Sequence, residues 1–329
     1  MLYHPWKEDM PTPKEVEMLL ALAELRLASS NQLAAWFGVS EQMIGRRVNK
    51  LICLGLIQSF PRGRDSGRGR PEQVYAITDS GTDLLKTSGL INPEVPVERV
   101  VGSSILGIME HQLVLNWVGI HLRPFHEPWG GFRSQYISST SPFHLSENGR
   151  TILADQVEHP DGTEVRFVPD ACFCLTYLPS RKSLLFLVEV DMGTEPIASI
   201  RQGADVHGKI NNYKQYFVNT GYKRFEGEDY LGTRFRGFRL LLITTTHARM
   251  QALCHLVWSN QPSDFIWVCQ TDMLFKHGLL GMIWRRGGNL DAGYSSIGGA
   301  LAEDIQKLIR TGRGRRPEPL SAEEAANGS

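Results

Sequence analysis

At 329 residues, with 42% hydrophobic and 21% charged side chains, the chain can bury two cores and is too apolar to stay unfolded. It has no long uncharged apolar run, Met1–Met10 is polar, and five scattered cysteines (Cys53, Cys172, Cys174, Cys254, Cys269) lie mostly in apolar segments; these features argue against a membrane span, a signal peptide, disulfides and a zinc site, and for a bacterial cytoplasmic setting. The 35 basic and 35 acidic residues cancel, so attraction to an anionic partner must be local, and residues 44–70 supply it: Arg46, Arg47, Lys50, Arg62, Arg64, Arg68 and Arg70 against Asp65.

From Lys14, the apolar residues Val16, Leu19, Leu20, Ala23 and Leu27 recur at helical spacing, with Glu15, Glu17 and Glu24 turned outward. Ser29 and Ser30 cap a short second helix, Asn31–Phe37, with Leu33, Ala34 and Phe37 inward. Gly38-Val39 turns the chain, and Ser40 caps a third helix, Glu41–Leu54, whose Ile44, Val48 and Leu51 face the core. Two short helices about a glycine turn have the form of a helix-turn-helix. Leu56–Phe60 and Val74–Ile77 then read as strands of a hairpin joined by the arginine- and glycine-rich Pro61–Arg70, and Thr78–Leu85 resembles the closing helix of bacterial winged-helix proteins.

These residues predict a winged helix-turn-helix over 10–90 that binds double-stranded DNA. The third helix would enter the major groove, presenting Gln42, Arg46, Arg47, Asn49 and Lys50. Arg62, Arg64, Arg68 and Arg70 of the wing would add sequence-independent, salt-sensitive affinity. The alternative is a protein-contact module with solvated arginines.

Ser88–Val97, with Pro93 and Pro96, reads as a linker to a second domain over 98–310, and 312–329 as a disordered tail. That domain is expected to hold a helix at Arg99–Leu122, strands at Gly131–Ser138, Thr151–Val157, Val165–Tyr177 and Leu184–Asp191, and a helix at Pro196–Phe217. A strand at Phe238–Thr245, a helix at Ala248–Ser259 and a strand at Asp264–Cys269 complete it. The order predicts a mixed sheet flanked by helices, so the whole reads as a two-domain α+β and α/β chain.

Its acids stand in costly places. Asp170 follows Val168-Pro169 in an apolar stretch, and Glu189 and Asp191 end the run Phe186–Asp191 on one strand face. An ionised carboxylate among apolar neighbours needs a partner or a metal. If the two strands are neighbours, Asp170 joins Glu189 and Asp191 in a pocket whose hard oxygens suit Mg2+ or Mn2+.

Pro169-Asp170, a gap of about twenty residues, and Glu189 at the end of an apolar strand resemble the signature of the PD-(D/E)xK nuclease superfamily. With the N-terminal elements and the run Glu189-Val190-Asp191-Met192-Gly193-Thr194-Glu195, the chain resembles the replication-relaxation family over most of residues 10–270. That family is associated with plasmids and other mobile elements, and its domain is related to the nuclease fold. The resemblance implies Asp170 and Glu189 as metal ligands, Glu110 as an accessory acid, and Tyr213 as a residue holding the scissile backbone. It also leaves room for a homodimer and for partner proteins of the same mobile element, although no dimer surface is legible.

The chain departs from the pattern where the superfamily has lysine two residues after the glutamate, since Asp191 stands there. Either the cation has moved to Lys209, on the following helix, or the site is degenerate. Two functions therefore stand. One is a metal-dependent DNA endonuclease or nuclease-derived processing factor. The other is a non-catalytic replication or mobilisation accessory factor or transcriptional regulator.

Overall fold

The computed structural model describes residues 10–62, 72–97, 104–128, 131–145, 148–197, 205–227 and 230–298. Arg64, Arg68, Arg70 and the 312–329 tail lie outside them. The fold is mixed α/β, and the chain divides into two compact units, Met1–Asn116 with Thr140–Ile152 and Trp117–Ser139 with Leu153–Ser329.

The first unit opens with α1 (Pro13–Leu25), started by a capping box in which the Thr12 N–H donates to Glu15 Oε2 at 2.6 Å. Glu15 does not turn outward, as its place in the periodicity suggests. It is 6% exposed and accepts Lys50 Nζ at 3.0 Å, because an acid in the first turn is drawn back to the open N–H groups there. Burial works against its charge, but Thr12 and Lys50 outweigh it and hold the carboxyl below its ordinary value.

β1 (Ala28–Ser29) leads into α2 (Ser30–Phe37), closed by Gly38 at φ +65, a left-handed position that favours glycine. The Ser40 hydroxyl accepts from the Met43 N–H and starts α3 (Glu41–Cys53), which buries Ile44, Val48 and Leu51. β2 (Ile57–Pro61) and β3 (Gln73–Ile77) pair antiparallel, and β1 adds to the other side of β3. A two-residue strand is too short to show alternation in sequence. α4 (Asp79–Thr87) follows the Thr78 cap.

α5 (Ser104–Leu122) contributes Met109 and Leu113 to a core shared with Leu27, Val74 and Ala76. Buried amides tie the same helix down: Gln32 Nε2 donates to the Leu113 carbonyl, and Asn116 Nδ2 to the Leu27 carbonyl, each at 2.6 Å. These bonds satisfy the buried side-chain amides, which would be costly to leave unpaired. They tie the first part of α5 to the N-terminal elements of this unit.

The second unit is built on a six-stranded mixed sheet in the order β11-β10-β9-β8-β7-β4. Its strands are β4 (Phe132–Ser138), β7 (Ala171–Tyr177), β8 (Lys182–Asp191), β9 (Phe238–Thr244), β10 (Ile266–Gln270) and β11 (Arg285–Arg286). β8, β9 and β10 run parallel, so each step needs a crossover, and the crossovers carry α6 (Val206–Val218) and α7 (His247–Ser259); α8 (Thr271–His277) follows β10.

The expected strand Val165–Tyr177 is two strands. β6 (Glu164–Phe167) pairs with β5 (Asp155–Glu158) in a separate ribbon, and β7 joins the main sheet. Pro169, which has no N–H to donate, sits at the break. Asp170 is thus placed immediately before β7, not inside a strand. Leu185–Val188 of β8 are at most 1% exposed, as a nearly continuous apolar run in a sheet covered on both faces requires.

One histidine of this unit carries a pH prediction. The Nδ1 of His121 is buried with no hydrogen-bond partner among the described residues, and burial pushes the pKa down to about 4. A depressed value means that stability is complete above the ordinary histidine range and is lost as pH falls from about 6.5 towards 4. Trp117, with ring centroids 5.5 Å away, offers an aromatic surround, so His121→Phe is expected to fit and to flatten this acid loss by ~2 kcal/mol. Equal acid loss in both proteins, followed by thermal melts, would remove burial of His121 as its cause.

Candidate active site

In the first unit, the buried stripe Ile44, Val48 and Leu51 dictates what α3 turns outward. Gln42, Arg46 and Asn49 are exposed, and Arg47 is half-buried with its guanidinium 3.4 Å from Met43 Sδ. Two other candidates are engaged within the unit. Lys50 pairs with Glu15, and Arg62 is gripped by Glu72 at 2.7 Å and, through two nitrogens, by Glu110 at 2.8 Å. Glu110 therefore finds its partner at the base of the β2–β3 hairpin, and it is not among the acids gathered in the second unit.

Those acids meet at the ends of β7 and β8. The two strands pair antiparallel with Ala171 opposite Val188, so one step further Asp170 stands opposite Glu189. The Asp170 N–H donates to the Val188 carbonyl at 3.0 Å, and Asp170 Oδ2 accepts the Val190 N–H at 2.8 Å. The carboxylate is thus clasped by the neighbouring strand.

Glu189 receives two side chains from α6. Tyr213 donates its hydroxyl to Glu189 Oε1, and Lys209 Nζ lies 4.0 Å from Oε2. The spacing of four residues stacks both on one face of α6, whose Val206, Ile210 and Tyr216 pack inward. Phe167 packs edge-on against Tyr213 and Tyr216, which fixes the tyrosine rings.

The electrostatics are set by burial and crowding. Burial first, then the Asp170 charge, push the Glu189 carboxyl up to about 8, and Lys209 and the Tyr213 hydrogen bond only partly oppose them. Lys209 loses to burial but gains more from Glu189 and Glu195, so its pKa rises. Burial and the neighbouring Glu189 raise Tyr213 well above its ordinary value, keeping it a neutral donor.

Asp191 turns to a different partner. Arg249, in the first turn of α7, grips both its oxygens at 2.7 and 3.0 Å, and Thr244 Oγ1 donates to it at 3.2 Å. Arg249 also donates to the Glu195 carbonyl at 2.6 Å, while the Glu195 carboxylate takes Lys209 Nζ at 2.9 Å. Asp191 is thus held in an Asp–Arg pair, and that pair anchors the turn whose Glu195 aims Lys209. Arg249 and Glu195 escaped the sequence reading. Arg249 lies 58 residues beyond Asp191 with no motif around it, although Glu195 belongs to the quoted acidic run.

Among the described residues, no group of three or more His, Cys, Asp or Glu side chains is arranged to hold a metal ion. Two adjoining carboxylates still suit Mg2+, which keeps several waters and takes one or two protein carboxylates beside substrate phosphates. The crowding of Asp170 against Glu189, which helps push the Glu189 carboxyl up, is the feature that such a cation fits.

The family model described as Replication-relaxation matches residues 19–227, which include both the α3 face and the Asp170–Glu189 pair. No curated protein matches the chain. Among solved structures, protein VC1899 from Vibrio cholerae is similar over 80% of this chain and 54% of its own, at 13% identity and a TM-score of 0.27. The chain spans about half the length of that protein, and the score is too low to equate the two folds. No helix among the described residues is long and apolar enough to cross a membrane.

Proposed function

Since the chain belongs to the replication-relaxation family, we propose that it is a mobile-element protein that binds duplex DNA through a winged helix-turn-helix and cuts or processes it in a PD-(D/E)xK-like site. The observation that carries the reading is the apposition of Asp170 and Glu189 on adjoining strands, with Lys209 4.0 Å from Glu189. In the first unit, support comes from three helices followed by a hairpin, with Gln42, Arg46 and Asn49 exposed on the third helix.

Asp170 and Glu189 would hold Mg2+ or Mn2+, which supplies a water of lowered pKa and Lewis acidity toward phosphate. The protein's own residues do the rest. Tyr213 orients Glu189 by donating to it, Lys209 brings a cation to the phosphate side, and Arg249 cancels the Asp191 charge that would otherwise repel DNA. Arg64, Arg68 and Arg70 would follow the duplex backbone, from a hairpin whose base Arg62 braces through Glu72 and Glu110.

The second reading, a non-catalytic accessory factor or regulator on a nuclease scaffold, is favoured by one observation: Asp191 stands at the usual lysine position and is neutralised by Arg249. Incubation of supercoiled plasmid with Mg2+ or Mn2+ separates the two. Metal-dependent nicking that disappears in both Asp170→Ala and Glu189→Ala, with duplex binding retained, is the expected result. A wild-type protein that binds duplex but never nicks supports the scaffold reading.

A further inference from the structure

Gly45 stands in the interior of α3, where glycine is disfavoured relative to alanine because its backbone has more freedom to lose. Three other helical glycines have a visible packing reason. A Cβ on Gly81 would come within 2.2 Å of the Leu56 carbonyl oxygen, one on Gly119 within 3.0 Å of the Tyr136 ring, and one on Gly221 within 2.2 Å of the Tyr216 ring. Gly38 and Gly55 sit at φ +65 and +69, where a side chain is strained. Gly45 has neither justification: its φ is outside that region, and an added Cβ meets no described atom within 4 Å. The fold itself would accept alanine.

The position of Gly45 on the helix suggests what does not. It lies three residues after Gln42 and four before Asn49, spacings that place all three on adjoining helix surface. Next to it Arg46 projects a cation into solvent. The buried stripe Ile44, Val48 and Leu51 lies on the inner side, so Gly45 forms a bare shoulder of the outward face. A missing side chain beside exposed amides and an arginine lets a foreign backbone approach the helix axis more closely than any other residue permits.

We propose that Gly45 is the point of closest approach between α3 and the sugar–phosphate backbone of a bound duplex. The inference rests on the reading of α3 as the DNA-contacting helix, and it makes Gly45 a positioning residue for that contact. Stability is given up at this position for groove fit, so the two properties must move in opposite directions when the methyl group is added.

The experiment uses the full chain and fluorescent short duplexes that the wild-type protein has enriched from a mixed-sequence pool. Gly45→Ala is expected to raise the melting temperature by about 2–4 °C and weaken duplex binding by ~10-fold or more. Gly45→Gln, bulkier and still a good helix former, should weaken binding further with the fold intact. Arg46→Ala combined with Arg47→Ala is the control for the underlying reading and should abolish most binding. If that control loses binding while Gly45→Ala binds like wild type, the close-approach assignment is overturned and the DNA-facing helix stands. If the control also binds like wild type, both are overturned.

Discussion

Replacing Glu189 with glutamine is expected to raise the melting temperature of the metal-free protein while eliminating its response to Mg2+ or Mn2+. The sign follows from the raised carboxyl pKa, about 8 in the fold against an ordinary value of 4.5. Below pH 4.5 both folded and unfolded chains carry the proton, and the residue costs nothing. Between 4.5 and 8 the folded protein keeps a proton that the unfolded chain has released, so stability falls as pH rises, and the loss is complete above about 8.

A shift of this size corresponds to ~3–5 kcal/mol at its ceiling, reduced wherever water or side-chain movement relaxes the pocket. Glutamine preserves the acceptor for Tyr213 and removes the charge. The two proteins should therefore melt together near pH 4.5 and separate most above pH 8, measured in chelator. Added divalent cation should stabilise wild type by mass action and leave Glu189→Gln unmoved. Identical pH slopes for the two proteins would show that Glu189 does not hold its proton and would take with it the argument for a cation there.

Arg249→Ala is expected to be the most destabilising surface-proximal substitution in the second unit. The Arg249 and Asp191 side chains are 14% and 9% exposed, so the deletion leaves a nearly buried carboxylate two residues from Glu189 without its counter-charge. Breaking such a pair costs about 3–5 kcal/mol, mostly the penalty of the abandoned charge. The double variant Arg249→Ala with Asp191→Asn should recover a large part of that loss, and a double-mutant cycle measures the coupling. The Glu195 carbonyl also loses its donor, so Lys209 loses its aim even in the rescued protein. Stability should return without function. An Arg249→Ala protein that melts within a degree of wild type would mean that the ion pair does not form.

How much of this was legible in the sequence can be judged residue by residue. α3 and its outward Gln42, Arg46 and Asn49 were, because Ile44, Val48 and Leu51 recur at the helical period and leave little choice of face. Glu15 and Lys50 were not, because periodicity places a side chain on a face but does not say that a capping box will pull an acid back over it. Glu110 was expected as an accessory acid of the site, and its partner Arg62 stands 48 residues earlier in a segment that reads as a cationic wing.

By itself, the sequence determined the local patterns: the helices, the hairpin, the apolar β8 and the expense of placing Asp170, Glu189 and Asp191 where they are. Such features depend on neighbours a few residues apart, which a linear pattern records. The tertiary structure alone decided which charges would meet. It set Asp170 against Glu189, sent Asp191 to Arg249, and stacked Lys209 and Tyr213 over the buried carboxyl. Coulomb energy and desolvation depend on distance through space, and strand order and helix crossovers, not chain separation, set those distances.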